Sequence, residues 1–124
     1  MPAGDASYEV LVLGAGMSGL AVGTLLRRAG ERRFAIVEKS AGPGGTWWDN
    51  RYPGAHVDVP SPLYCFSWAP NPRWTRRFAA APEIQAYVER QYDEQGLRPH
   101  LQLGHAITDA RFDAEAGRWR FTTD

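Results

Sequence analysis

One cysteine, no net charge and no long apolar run set the first limits on this chain of 124 residues. Cys65 stands alone, which excludes an internal disulfide and a cysteine metal cluster within the chain. A free thiol suits a reducing compartment, so the expected location is cytoplasmic. Acidic and basic side chains balance at 14 each, and no net field favours nucleic acid or an anionic membrane. The cluster Arg73, Trp74, Arg76 and Arg77 therefore reads as a solvated face around a core tryptophan. No stretch approaches the roughly 20 apolar residues of a spanning helix. Gly4 and Asp5 precede a short apolar run that fits a core strand, not a secretory signal. His100 and His105 have no carboxylate or cysteine partner at metal-ligand spacing; both are expected to be structural, with no metal site. Internal repeats and low-complexity tracts are absent.

What is present begins at Tyr8. Tyr8 to Leu13 is nearly all apolar, the pattern of a parallel strand buried on both faces. Gly14-Ala15-Gly16-Met17-Ser18-Gly19 is a turn into a helix that should run to about Ala29. Leu20, Ala21, Thr24 and Leu25 are expected on its buried face, with Arg27 and Arg28 at its negative end and Gly30 as its stop. Phe34 to Val37 reads as a second buried strand, ended by Glu38. Residues 8–38 thus predict a βαβ unit of an α/β, Rossmann-like parallel sheet.

Residues 40–81 break both periods. Glycine, proline and aromatic residues crowd together, and a loop of this length is functional or disordered. Disorder fits badly, because Trp47, Trp48, Tyr52, Tyr64, Phe66, Trp68 and Trp74 are costly to leave in water. The expectation is an ordered loop packed around something, such as a flat cofactor. Residues 82–95 return to helix, with Pro82 at the first position, a stripe of Ile84, Tyr87, Val88 and Tyr92, and Gly96 as cap. Leu101 to Leu103 suits a short third strand, and residues 105–123 a β-hairpin with Trp119 and Phe121 on one face. The chain stops at Asp124 directly after that strand-like run, whereas a dinucleotide domain continues into further strands. The expectation is an incomplete FAD-binding domain: a fragment, or one piece of a larger assembly.

The glycine turn carries the chemistry. A dinucleotide brings two negative charges on its diphosphate, and a helix N-terminus offers unpaired N–H groups with a partial positive charge. Gly14 permits the tight turn, Gly16 removes a side chain that would block the diphosphate, and Gly19 lets helix and strand pack closely. Gly23 could extend that packing. Glu38, ending the second strand, can accept hydrogen bonds from ribose hydroxyls and would repel a 2′-phosphate. This unit should take FAD or NAD rather than NADP, and it does not decide between the first two.

After Glu38 come Gly44-Gly45-Thr46-Trp47 and then Arg51-Tyr52-Pro53-Gly54-Ala55-His56-Val57-Asp58. These two segments resemble the GGTW and RYPGARxD-like motifs of Baeyer–Villiger-type flavin monooxygenases. The chain is similar to the N-terminal part of their FAD domain over essentially its whole length. The resemblance implies that Gly14, Gly16, Ser18 and Gly19 surround the FAD diphosphate and Glu38 binds the adenosine ribose. It implies that Thr46, Trp47 and Tyr64 lie on the flavin side, and that Asp58 sits near the flavin ring as the one catalytic candidate. Ile107 resembles a position whose backbone contacts adenine. Taken singly, Thr46 could cap a turn, Trp47 and Tyr64 could be packing, and Asp58 could be a solvated turn residue beside Pro60.

The implied activity is an NADPH-dependent insertion of one oxygen atom from O2 into a ketone, or oxidation of a heteroatom. Two departures stand against it. His56 replaces the arginine common in the family, changing charge and hydrogen-bond geometry. The family's NADPH-binding domain, its active-site arginine and its linker fingerprint are not in these residues. Little or no turnover is expected of the chain alone. A non-catalytic FAD-binding chain completed by a second chain, and an NAD-linked Rossmann oxidoreductase, are the alternatives.

Overall fold

The computed structural model describes residues 6–124, so Gly4 and Asp5, on which the reading of the N-terminus leaned, lie outside the described residues. Strand β1 (Val10–Leu13) leads into helix α1 (Met17–Arg28) and strand β2 (Phe34–Glu38). β1 and β2 pair in parallel, with Val10 opposite Phe34 and Leu13 opposite Val37. The third strand, β3 (Leu101–Leu103), pairs in parallel with the other edge of β2, giving the order β1-β2-β3. The α/β class, the βαβ unit and the short third strand match expectation. Every residue of β2 is buried, as a central parallel strand requires.

The buried face of α1 differs from the predicted stripe. Gly19, Leu20, Gly23 and Thr24 face inward, while Leu25 is 56% exposed. The reason lies in the two glycines, which sit i, i+4 on one face. A Cβ on Gly23 would fall 2.8 Å from Ile36 Cδ1, so the helix backbone itself packs on β2 and turns Leu25 outward.

Segment 40–81 is ordered and holds two short elements that periodicity could not register: the single-turn helix α2 (Thr46–Asp49) and a 3-10 turn at Ser61–Leu63. Trp47, Ala55, Val57 and Ala79 build a small second core with Ala81 and Ile84. Ser61 is fully buried, and its hydroxyl accepts from Ala79 N–H at 2.8 Å while lying 2.9 Å from the Arg76 and Arg77 carbonyls. Trp74 packs against both cores, as expected of it. Tyr52 and Phe78 are the exceptions among the aromatics of this segment, at 64% and 41% exposed.

Helix α3 (Ala81–Glu94) starts one residue earlier than predicted, placing Pro82 second. Its stripe of Ile84, Tyr87, Val88 and Tyr92 is completely inside the fold. His100 stacks on Phe34 at 3.9 Å and places Nδ1 3.0 Å from the Phe34 carbonyl oxygen, a structural role. Strands β4 (Ile107–Asp113) and β5 (Arg118–Thr123) form a separate antiparallel hairpin, with Trp119 stacked against Phe121 at 6.1 Å. Among the described residues no helix is long and apolar enough to cross a membrane.

Candidate functional site

The turn after β1 is shaped by glycine backbone. Gly14 has φ +94°, a conformation that side chains rarely adopt, and its N–H donates to the Val37 carbonyl at 2.8 Å. A Cβ on Gly19 would lie 2.0 Å from the Gly14 carbonyl oxygen, so the start of α1 rests directly on the turn. Gly16 is the N-cap of α1, and no side chain caps the helix. The first-turn N–H groups therefore keep their donor capacity and partial positive charge.

A second glycine pair meets this turn. Gly44 has φ +137° and Gly45 φ +56°, and the Gly44 N–H donates to the Ala15 carbonyl at 2.9 Å. A Cβ on Gly45 would sit 2.9 Å from Gly16 Cα, so the two loops touch backbone to backbone. Between them opens a cleft of about 310 Å³. Gly14, Gly16, Ser18 and Gly19 line it from the first loop; Gly44, Gly45, Thr46 and Trp47 line it from the second, with Tyr64 beside them. Trp47 is oriented by Tyr64: its indole N–H donates to the phenol oxygen at 2.9 Å, and the rings meet edge to face at 5.7 Å.

Glu38 does not line the cleft. It is buried beneath the turn, where Oε2 accepts from Ala15 N–H and Oε1 from Ser40 N–H, both at 2.8 Å. Burial pushes its carboxyl upward, but those two N–H groups, the Ser40 hydroxyl and the Lys39 charge outweigh it, leaving the group below its ordinary range. Each oxygen accepts one of these N–H groups, and a carboxylate oxygen can accept more than one hydrogen bond.

The remaining candidates are placed apart. Asp58 is exposed next to buried Val57 and is not among the cleft residues. Ile107 opens β4 opposite Thr123. His56 is engaged locally, with Nδ1 2.7 Å from the Val57 carbonyl oxygen and its ring edge-on to Phe78. Leu13 and Met17 also line the cleft. Residue type gave no hint of them, because an apolar strand end and helix start look like core. Among the described residues no group of three metal-ligating side chains is assembled.

The geometry fits a dinucleotide diphosphate: side-chain-free backbone on both loops, uncapped helix N–H groups and a buried acceptor below. Comparisons with known proteins agree. The NAD(P)-binding Rossmann-like domain family matches residues 12–81. A Baeyer–Villiger monooxygenase of Streptomyces coelicolor is 46% identical over 115 residues, covering 93% of this chain and 22% of that protein. A solved structure of an oxidized steroid monooxygenase bound to NADP superposes with TM-score 0.89 at 37% identity, covering 96% of this chain and 23% of the other. A structure of OTEMO in complex with FAD and NADP gives TM-score 0.89 at 31% identity, covering 98% of this chain and 23% of the other. The chain thus spans about a fifth of the length of the relatives it matches.

Proposed function

The chain belongs to the NAD(P)-binding Rossmann-like domain family, and we propose that it is the N-terminal, FAD-binding part of a Baeyer–Villiger-type flavin monooxygenase. One observation carries the reading. The Gly16 turn and the Gly44–Gly45 loop meet with no side chain between them, and together they frame a cleft at an uncapped helix start. A bare glycine turn needs no second glycine loop against it, and the Gly44-Gly45-Thr46-Trp47 segment that supplies this one resembles the motif of FAD-binding monooxygenases.

FAD, when bound, supplies two-electron and oxygen chemistry that no side chain can perform. The chain's own residues hold and shield it. Gly16, Met17 and Ser18 offer N–H groups to the diphosphate oxygens. Glu38 accepts from the ribose hydroxyls and repels a 2′-phosphate, which directs NADPH to another domain. Thr46, Trp47 and Tyr64 stand on the flavin side. Asp58 acts near the flavin ring and Ile107 offers backbone to adenine; for these two the family resemblance is the support. The whole protein then uses NADPH and O2 to oxygenate a ketone or a heteroatom.

Purification of the chain with added FAD tests this directly. The expected result is yellow protein whose flavin absorbance survives gel filtration and is released on denaturation. Retention of NAD with no flavin would overturn the reading in favour of an NAD-linked oxidoreductase. Turnover is a separate expectation: the chain alone should not oxidise NADPH, and robust FAD-dependent oxidation by it would show that the site is already complete.

A further inference from the structure

Tyr92 lies seven residues beyond Gln85 on α3, two helical turns along the same face. Gln85 reaches one glycine loop, its Nε2 donating to the Pro43 carbonyl at 2.7 Å. Tyr92 reaches the other. Its ring is fully buried, and its hydroxyl donates to the Ala15 carbonyl at 3.0 Å across 77 residues of sequence. Burial, aided by the Glu38 charge, pushes the phenol upward, so it stays a protonated donor.

Ala15 is the hub of this contact. Its carbonyl accepts from Tyr92 and from Gly44 N–H, and its own N–H donates to Glu38. In a trans peptide the C=O and the following N–H point in opposite directions. Holding the Ala15 carbonyl toward α3 therefore holds the Gly16 N–H away from it. Gly16 lines the cleft and Tyr92 does not. This peptide turns about Ala15 ψ and Gly16 φ, and the glycine φ is free of side-chain restraint, so the two bonds to the Ala15 carbonyl, from Tyr92 and from Gly44, are what fix it.

We infer that Tyr92 is a positioning residue for anion binding at the turn: it fixes the Ala15–Gly16 peptide so that the Gly16 N–H is aimed at the ligand's diphosphate. The inference rests on the FAD-binding reading. It assigns to α3, outside the matched family segment for all but its first residue, a part in cofactor affinity.

A neighbouring residue supplies the control. Tyr87 is equally buried, and its hydroxyl also bonds backbone, donating to the Ala69 carbonyl at 2.8 Å and accepting from Phe66 N–H at 2.9 Å, but it does not touch the turn. Tyr87→Phe and Tyr92→Phe each remove one buried hydroxyl and keep the ring. FAD titration by fluorescence quenching, with a melting curve of each apoprotein, separates the roles. Tyr92→Phe should weaken FAD binding by roughly five- to tenfold, the range of one neutral hydrogen bond. Tyr87→Phe should lose comparable stability and keep the wild-type affinity. Equal affinities in the two variants, with wild type binding FAD, would overturn the inference and leave the FAD reading standing. No FAD binding by wild type would overturn both. A measurement on wild type avoids any folding defect: hydrogen exchange of the Gly16 amide should slow about tenfold or more on adding FAD, as expected for an amide that gains a bond. Exchange that is unchanged by bound FAD would also sink the inference.

Discussion

Glu38 Oε2 accepts a hydrogen bond from Ala15 N–H at 2.8 Å, joining the end of the second strand to the turn after the first. The residue expected to meet a ribose is also the floor of the diphosphate turn. The proposed ribose contact and the stability of the turn therefore meet at this side chain.

That coupling predicts a pH dependence. The Glu38 carboxyl lies below its ordinary value of 4.5 in the folded chain. A depressed folded value means the stabilisation is fully present above the ordinary value and is lost as pH falls through the folded one. Glu38→Gln would turn an amide NH2 toward one of two N–H donors, costing about 1–3 kcal/mol for the buried group left unpaired. Melting temperatures across pH should show a wild-type advantage near neutrality that shrinks on acidification below 4.5. A gap that stays constant with pH would rule out the ionised carboxylate as its source.

Gly16 and Gly19 should fail in different ways. A Cβ on Gly16 meets only Gly45 backbone, Cα at 3.6 Å and N at 4.0 Å, ordinary contact, whereas a Cβ on Gly19 falls 2.0 Å from the Gly14 carbonyl oxygen. Gly19→Ala should therefore destabilise the fold by about 1–3 kcal/mol or more, read by denaturant unfolding. Gly16→Ala should melt within a few degrees of wild type yet lose FAD retention, and Gly16→Val should abolish it. Undiminished FAD affinity in both Gly16 variants would refute the diphosphate assignment.

Tyr64→Phe removes the acceptor of the Trp47 indole N–H while keeping the edge-to-face contact. The expected cost is about 1 kcal/mol. Because this pair lines the cleft, the flavin emission of bound FAD should change as well. A variant with unaltered flavin spectra would place Tyr64 outside the flavin side.

Asp58→Ala should leave the fold and FAD affinity intact, since Asp58 is exposed and an exposed substitution moves stability by about 0.5 kcal/mol or less. Introduced into a complete monooxygenase containing this segment, it should impair oxygenation. Normal product formation there would remove Asp58 from the catalytic role.

Much was legible in the residues alone. Apolar runs at Val10–Leu13 and Phe34–Val37, with glycines between them, dictate a βαβ unit, because buried parallel strands and a close helix crossing leave few other solutions. The stripe Ile84, Tyr87, Val88, Tyr92 likewise marked the inner face of α3. Local pattern was silent wherever a residue's partner is distant in sequence. Leu25 fitted a helical stripe, but Gly19 and Gly23 bring the helix backbone onto Ile36 and rotate Leu25 into solvent. Pattern placed Glu38 at a ribose and Tyr92 in a core. Tertiary structure decided that Glu38 also floors the turn and that Tyr92 reaches Ala15 across 77 residues. Periodicity reports which face is buried; only the folded chain determines which buried polar groups satisfy one another.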